Sequence, residues 1–382
     1  MRTAARLVGM LVSSSLILLA DTSLGAGAGC NAWPFWQRFK ELYLSADGRV
    51  VDRSTAQQVT TSEGQAYALF FALVGNDRAA FDQILRWTRD NLAGGDLAKS
   101  LPAWQWGRAG DGSWRVLDTN AAADADLWMA YALGEAARLW NAPEYSRLGA
   151  ALAANILRDE VASIPGLGTA LLPGPKGFVT ERSWRLNPSY LPLPVIHGLA
   201  RQSGDPRWLE IAQSSEKIIL GSAPQGFAAD WIEFTTAGGF AADPTSRDIG
   251  GYEAIRVYLW AGMLPASDPT RQKLAEALKP MLSSAAKRVA PAETIGTRTL
   301  SMRGEGAPGF SAALLPMLAN ARMSSALQSH RKRAAENLLK NDQNYYSDVL
   351  TLFGLGWLEQ HYRFNRAGLL SVHWTHACDR PH

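Results

Sequence analysis

Apolar residues recur along the chain at the three- and four-residue spacing of α-helices, and the segments that carry them are of two kinds. Segment 32–45 is amphipathic, with Trp33, Trp36 and Phe39 at helical spacing, which is typical of a surface helix. Segment 66–74 (AYALFFALV) is apolar at every position and predicts a helix in the middle of a core. The pattern therefore predicts an outer and an inner layer of helices.

About a dozen helices with short connections are predicted in this way. We expect them at 32–45, 60–74, 77–92, 121–140, 143–160, 187–203, 205–220, 252–263, 268–289, 308–320, 324–339 and 345–362. The chain shows no repeat of fixed period, which disfavours an open solenoid of helical hairpins. We therefore expect a ring of six inner and six outer helices, with the N-terminal ends of the inner helices and the long loops on one face.

Three long segments interrupt the helical pattern, at 97–118, 164–184 and 221–251, and all are rich in Gly together with Pro or Trp. Loops of this length in a compact domain are usually functional, and the last one is expected to contain a short hairpin. No low-complexity linker divides the chain, so we expect residues 29–382 to form one domain.

The N-terminus has the features of a secretory signal peptide. Arg2 and Arg6 precede an apolar run at 7–20 that is too short to cross a bilayer comfortably, and 26–28 (AGA) resembles a cleavage site. We expect residues 1–28 to be removed, which leaves a periplasmic or secreted protein without a membrane span. A lipoprotein anchored through Cys30 is the less favoured alternative.

Charge and cysteine content narrow the classes of function further. The net charge of +3 over 382 residues has no basic runs, so no nucleic-acid partner is expected. Cys30 and Cys378 are the two cysteines, and in an exported protein a pair of this kind more often forms a disulfide, here between the ends of the mature chain. Two cysteines are too few for a zinc site, and neither a metal nor a cofactor is expected.

Glu63 stands where the apolar helix of 66–74 begins, and Gly64 beside it leaves the backbone open to close approach. Apolar surroundings can raise the pKa of a carboxyl, as a proton donor near neutral pH requires. The local pattern also fits a capping box, in which Thr60 and Glu63 close the helix N-terminus. That structural interpretation is favoured on the local pattern alone.

Acidic residues also stand at the start of two other very apolar helices. Asp124 and Asp126 lie in the ADAD run at 123–126, and Glu253 lies at the start of the helix predicted at 252–263. Arg256 follows Glu253 by three residues and would lie beside it on a helix, which favours an ionised carboxylate. A neutral and a charged carboxyl are what glycoside hydrolysis needs, with Glu63 as the acid and Glu253 as the base. Ordinary helix-start residues are the alternative, and it is strongest for Asp124 and Asp126.

These motifs together resemble glycoside hydrolase family 8, and in particular its members associated with bacterial cellulose synthesis. The matching segments are TSEGQAY at 61–67, the run from ADAD to Trp140, NPSY at 187–190 and YEAIR at 252–256. The resemblance extends from WP at 33–34 to LTLFG at 350–354. It implies an all-α (α/α)6 barrel that hydrolyses internal β-1,4-glucan bonds with inversion, and it makes the cellulose synthase complex a candidate partner.

The resemblance also implies roles for single residues. Glu63 matches the family's proton donor, Asp124 an Asp that holds the sugar at the cleavage point, and Tyr190 and Tyr252 the residues that hold the attacking water. Candidates for sugar stacking or substrate contact are Trp104, Trp106, Trp114, Trp184 and Arg256, with core packing as the alternative for each Trp.

One position departs from the family pattern, because Glu253 stands where the base is usually Asp. The extra methylene moves the carboxylate by about 1.5 Å, so either the site has adjusted or activity is reduced. A non-catalytic glucan-binding protein of the same fold is therefore the second hypothesis. A helical-repeat interaction protein is the third, and the polar residues at the starts of the apolar helices argue against it.

Overall fold

A computed structural model describes residues 33–339 and 344–377. The predicted signal peptide at 1–28 lies outside the described residues, and so do Cys30 and Cys378, whose disulfide stays a prediction. The described α-helices are α1 Pro34–Tyr43, α2 Ser62–Val74, α3 Arg78–Leu92, α4 Ala123–Leu139, α5 Pro143–Asp159, α6 Leu193–Ser203, α7 Arg207–Ser222, α8 Ile255–Met263, α9 Pro269–Ala277, α10 Lys279–Ala285, α11 Pro308–Asn320, α12 Ser324–Leu339, α13 Tyr345–Leu358 and α14 Trp374–Ala377.

Six helices, α2, α4, α6, α8, α11 and α13, are buried along most of their length and form the inner ring. Aromatic side chains meet where the ring closes. The ring centroids of Phe70 in α2 and Trp128 in α4 lie 4.8 Å apart, and Trp128 lies 5.2 Å from Trp260 in α8. Phe353 in α13 lies 5.1 Å from Trp260 and 5.7 Å from Phe70. Because the first and last inner helices touch, the ring is closed and is not an open solenoid.

The remaining long helices alternate with the inner ones in chain order and bury one face each. In α3, Phe81, Ile84 and Trp87 are buried at three-residue spacing, while Arg78 and Asp90 face solvent. The architecture is thus the predicted (α/α)6 barrel, with α1, α3, α5, α7, α9 with α10, and α12 on the outside. Among the described helices, none is long and apolar enough to cross a membrane.

Proline explains where the predicted helices were too long. The single helix predicted at 268–289 is divided into α9 and α10, and Pro280 lies in the first turn of α10. Proline lacks the backbone N–H that would continue a helix and restricts the residue before it. In the same way, the predicted helix at 187–203 is a 3-10 turn at Pro188–Tyr190 followed by α6, whose start is set by Pro192.

Short antiparallel strands connect the helices: β1 Thr60–Thr61, β2 Gln105–Arg108, β3 Trp114–Asp118, β4 Val161–Ile164, β5 Gly168–Leu171, β6 Ser183–Leu186, β7 Ile232–Thr235, β8 Phe240–Ala242, β9 Ile249–Gly250, β10 Thr294–Gly296, β11 Met302–Arg303, β12 Tyr362–Phe364 and β13 Leu370–Val372. The hairpin predicted within 221–251 is β7–β8. Thr60 pairs with Trp106, so β1 brings the β2–β3 hairpin to the start of α2. The β1–β2–β3 sheet therefore lies at the N-terminal end of an inner helix.

Candidate active site

Arg256, the second residue of α8, contacts the three carboxylates for which the sequence predicts a catalytic role, those of Glu63, Asp124 and Glu253. Its Nη1 donates to Oε1 of Glu63 at 2.9 Å and to Oδ2 of Asp124 at 3.1 Å, and its Nη2 donates to Oε2 of Glu253. Only 3% of the Arg256 side chain is exposed. Glu63 and Glu253 therefore stand on either side of one buried guanidinium group, and three inner helices meet there.

Glu63 is the second residue of α2, and its carboxylate does not close the helix. The N-cap is Thr61, whose Oγ1 accepts the Gly64 N–H at 3.1 Å, and not Thr60. The Glu63 carboxylate instead accepts a bond from the indole Nε1 of Trp104 at 3.2 Å. The capping-box interpretation is thus wrong, because the helix begins one residue later and the carboxylate faces a neighbouring loop.

Glu63 and Asp124 form a coupled pair in which burial and the shared guanidinium act against each other. Burial raises the pKa of Asp124, which is 1% exposed, and the charge of Glu63 raises it further. Burial also raises the pKa of Glu63, but Arg256 and the bonds from Asp124 and Trp104 lower it, and the lowering prevails. A proton on this pair is therefore favoured on Asp124 rather than on Glu63.

This distribution corrects two expectations. The pKa of Glu63 was expected to be raised by apolar surroundings, and Arg256 was expected to serve Glu253 in particular. The contact at three-residue spacing between Glu253 and Arg256 is present. However, the guanidinium also reaches Glu63 at the start of α2 and Asp124 at the start of α4.

Glu253 lies in the turn just before α8, and 35% of its side chain is exposed. Its Oε2 accepts bonds from Arg256, from Ser189 Oγ at 3.3 Å and from Asn187 Nδ2 at 3.4 Å. All bonds from described residues to this carboxylate go to Oε2, which leaves Oε1 for a water molecule. The Glu253 carboxylate is thus directed toward Arg256, Ser189 and Asn187 through Oε2.

A cavity of about 260 Å³ lies between Glu63 and Glu253. Its lining comprises Asp52, Thr61, Glu63, Gly64, Tyr67, Tyr252, Glu253, Arg256, Tyr345, Tyr346 and Val349. A Cβ atom built at Gly64 would collide with the hydroxyl of Tyr345, so the close approach predicted at this glycine is made by α13. The two candidate catalytic carboxylates therefore share one cavity rather than facing separate surfaces.

Tyrosines complete the surroundings of Arg256. The Tyr67 hydroxyl donates to Asp124 at 3.2 Å and accepts from Arg256 at 3.2 Å. The ring of Tyr190 lies 5.4 Å from the guanidinium carbon. Burial and the nearby carboxylates raise the pKa of both Tyr67 and Tyr190, so both hydroxyls stay protonated. Tyr252 is 47% exposed, and its hydroxyl donates to Glu293 at 3.2 Å, a carboxylate that Arg256 does not contact.

The structure separates the four candidate tryptophans. Trp104 alone among them contacts a catalytic candidate. Trp106 packs edge-on against Trp87 and is stacked on Trp114 at 5.2 Å, with Arg49 over both rings. Trp114 is 45% exposed and so keeps surface for a ligand. Trp184 lies in β6, paired with Phe234 of β7, and packs against the core.

Two residues near the site were missed. Tyr67 lies four residues after Glu63 and so on the same helix face, a signal that the sequence offered. Trp231 stacks on Phe178 with ring centroids 6.0 Å apart, with the guanidinium of Arg185 3.8 Å from its ring. It lies in a loop without helical period, so no pattern pointed to it. Among the described residues, no cluster of three or more His, Cys, Asp or Glu is placed to hold a metal ion.

Several known proteins are similar to this chain in sequence, and a solved structure is similar to it in fold. The sequence model of glycosyl hydrolases family 8 matches residues 8–360. The endoglucanase of Salmonella typhi is 44% identical over 357 residues, which cover 94% of this chain and 95% of that protein. The endoglucanase of Xanthomonas axonopodis pv. citri (strain 306) is 46% identical over 364 residues, with 94% of each covered.

A solved structure agrees with these relatives. The endo-1,4-D-glucanase from Vibrio fischeri ES114 has a TM-score of 0.87 and 45% identity, and the match covers 90% of this chain and 100% of that one. Both the family model and the relatives extend over most of the chain, well past the carboxylate cluster. The chain belongs to glycosyl hydrolases family 8 and is a glycoside hydrolase.

Proposed function

We propose that this protein is an endo-β-1,4-glucanase that cleaves internal bonds of cellulose chains with inversion. The observation that carries the proposal is the placement of Glu63 and Glu253 on opposite sides of the Arg256 guanidinium, facing one cavity. The relatives of similar length are endoglucanases, which supports the same substrate class.

Glu63 is the general acid in this proposal. It protonates the glycosidic oxygen as the bond to the anomeric carbon breaks. The proton comes from the pair that Glu63 forms with Asp124, in which burial and the charge of Glu63 raise the pKa of Asp124. Asp124 also holds the sugar ring at the cleavage point. Trp104 fixes the acid through its indole N–H, and Trp114 offers a ring on which a sugar can stack.

Glu253 is the general base. Its Oε1 takes a proton from a water molecule that attacks the anomeric carbon from the face opposite to the leaving oxygen. Inverting enzymes separate the two carboxyls by roughly 6.5–9.5 Å so that this water fits. A guanidinium between Glu63 and Glu253 provides a separation of this kind. The products are a chain with a new reducing end in the α configuration and a chain with a free hydroxyl at its non-reducing end.

The proposal is tested by product analysis with cellohexaose and carboxymethylcellulose. We expect viscosity to fall faster than reducing ends appear, and proton NMR to show the α-anomer first. We expect Glu63→Gln to lose this activity and to regain turnover on an aryl β-cellobioside whose leaving group needs no protonation. Equal activity of the wild type and Glu63→Gln on cellohexaose would defeat the assignment.

Glu253 also supports a second candidate function, a glucan-binding protein with weak or absent hydrolysis. The observation is that the longer side chain directs its carboxylate toward Arg256, Ser189 and Asn187. In that case the wild type binds cellohexaose without turnover, and Glu253→Asp gains activity. Under the first proposal Glu253→Asp does not create an activity that the wild type lacks.

We further propose that the enzyme acts outside the cytoplasm and trims glucan during bacterial cellulose synthesis. The basis is the signal-peptide pattern at 1–28 together with the sequence resemblance to cellulose-associated members of the family. Cell fractionation and N-terminal sequencing of the mature protein test the export. Deletion of the gene in a cellulose-producing host, complemented by wild type or Glu63→Gln, tests the role in synthesis.

A further inference from the structure

Asp230, in the loop between α7 and β7, receives three backbone N–H bonds at a single oxygen. Its Oδ1 accepts from Gly251 at 2.8 Å, from Glu253 at 3.1 Å and from Ala254 at 2.7 Å. Its own N–H donates to the carbonyl of Ile249 at 2.8 Å. One side chain thus holds the whole turn that carries Glu253 into the cavity.

These bonds hold the turn before α8 and do not cap the helix itself, because all three N–H groups belong to residues that precede Ile255. The first N–H groups of a helix have no partner within it and are usually satisfied by the side chain of the residue just before. That residue in α8 is Ala254, which has no side chain able to accept a bond. The first N–H groups of α8 bond instead to carbonyls of the turn at 251–254, and Asp230 holds that turn from 24 positions before Ala254. The direction of Glu253 therefore depends on a distant loop residue.

The segment that bears Asp230 is itself fixed to α8. The N–H of Ala228 donates to the hydroxyl of Tyr258 at 2.8 Å. A Cβ atom built at Gly250 would collide with the carbonyl of Ala228, so these two backbones are in direct contact. Asp230 is therefore held from two sides and cannot follow a movement of the turn.

The electrostatic surroundings show that Asp230 holds the turn rather than replacing the base. Burial raises the pKa of Asp230, the bonds from Ala254, Gly251 and Glu253 lower it, and the charge of Glu253 raises it again, with a net rise. The two carboxyls are thus close enough to affect each other. Oδ1 of Asp230 is already occupied by three backbone donors, which leaves Glu253 as the group that faces the cavity.

We propose that Asp230 is a positioning residue. By holding the turn at 251–254, it determines how far the Glu253 carboxylate extends into the cavity. This rests on the proposed role of Glu253 as the base. Glu253 is longer than the Asp usual in the family, so the position of its backbone decides whether a water molecule fits beneath Oε1. A displacement of about 1 Å at a reacting group can cost about a hundredfold in rate.

Steady-state kinetics on cellohexaose test this with Asp230→Ala, Asp230→Asn and a matched control. Asp268 caps α9 in the ordinary way, with Oδ1 accepting the Thr270 N–H at 2.9 Å, so Asp268→Ala removes a helix cap outside the carboxylate cluster. We expect Asp230→Ala to lower kcat by about 10- to 100-fold with KM changed by no more than about twofold. Asp230→Asn keeps an oxygen acceptor and is expected to retain most of kcat. Asp268→Ala is expected to lower the melting temperature but not kcat.

Coupling to the base separates positioning from a general loss of structure. In a Glu253→Gln background, Asp230→Ala is expected to leave the residual kcat unchanged, because the group that it positions is already gone. An unchanged kcat in the single variant Asp230→Ala overturns the proposal, and so does an equal further loss in the double variant. If Asp230→Ala does not fold, Asp230→Glu gives the same test, since it keeps the acceptor but moves it by about 1.5 Å. If Glu253→Gln keeps full activity, the proposed function fails, whatever Asp230 does.

Discussion

The two ends of α4 carry buried carboxylates in opposite electrostatic settings. In the first turn, Asp124 shares one guanidinium with Glu63 and Glu253, so three acids face one cation. Eleven residues later, or roughly 16 Å along the helix axis, Glu135 is fully buried between two cations. Its partners are Arg138, Arg201, the amide of Gln202 and the Leu370 N–H.

The difference shows why one end is suited to chemistry and the other to stability. Asp124 is buried beside Glu63, and both share one guanidinium with the partly exposed Glu253, so burial and the charge of Glu63 raise the pKa of Asp124 and favour a proton there. Glu135 has a cation or another donor for each oxygen. The catalytic end of the barrel is distinguished by having more carboxylates than cations, rather than by burial alone.

The largest effect expected from this comparison is on kcat. Glu63→Gln removes the group that delivers the proton and is expected to lower kcat on cellohexaose by about 10²- to 10⁴-fold, the usual contribution of a general acid. Glu135→Gln makes the same chemical change at the other end and is expected to reduce the melting temperature while kcat per folded molecule is retained. Kinetics and thermal unfolding of both variants decide the matter, and a comparable loss of kcat in Glu135→Gln would break the comparison.

The sequence predicted the positions of these acids better than their partners. Glu63 and Asp124 stand in the first turns of helices that are apolar all round, and such a helix has to be central, so a shared face at their N-terminal ends followed from pattern alone. The two layers of the barrel followed for the same reason.

What the sequence did not reveal depends on distances between helices. Local spacing pairs Arg256 with Glu253 only, and its bond to Glu63 across 193 positions depends on how the ring places the N-terminal ends of α2 and α8. The bonds that Asp230 accepts from the turn before α8 could not be predicted from hydrophobic periodicity, because Asp230 lies in a loop. Pro280 is a different case. The proline that divides α9 from α10 was visible in the sequence, but the continuous apolar pattern led to the prediction of a single helix.

A second prediction removes the cation from each cluster. Arg256→Gln leaves three carboxylates without a cation and is expected to cost about 3–5 kcal/mol of unfolding free energy at pH 7, as breaking a buried ion pair usually does. The loss is expected to shrink toward pH 5 as the carboxyls take up protons. Arg201→Gln leaves Glu135 paired with Arg138 and is expected to cost less. Urea unfolding at both pH values measures this, and a larger loss for Arg201→Gln would contradict the comparison.

A third buried cluster sharpens the comparison, because it has acids and no cation. Asp126 and Glu160 are fully buried, and their four oxygens have no N–H donor among the described residues. Burial raises the pKa of both, Glu160 additionally through the charges of Asp126, Asp124 and Asp159. Because burial raises the pKa of both neighbouring acids, we expect them to share a proton in the folded state.

The sign of the pH dependence follows from these raised pKa values. The stabilising effect of the shared proton is complete below the unfolded values of about 4 and is lost as pH rises through the raised folded values. Asp126→Asn combined with Glu160→Gln replaces the pair by two neutral amides. We expect the unfolding free energy of the wild type to fall between pH 5 and 8 relative to this variant, by up to about 1.4 kcal/mol per pH unit for each proton. Parallel urea titrations check this, and identical pH profiles would rule out a shared proton.

The smallest effect concerns how closely α13 approaches the acid. Gly64→Ala places a methyl group against the Tyr345 hydroxyl, and overpacking of this kind typically costs about 1–3 kcal/mol. We expect a lower melting temperature and a modest fall in kcat, because Glu63 is the adjacent residue. Tyr345→Phe in the same chain removes the colliding oxygen and is expected to restore most of both. Gly110, which has open space around its Cβ position, gives a matched control, and Gly110→Ala is expected to change neither quantity. If Tyr345→Phe does not relieve Gly64→Ala, the contact between α13 and the start of α2 does not set the position of the acid.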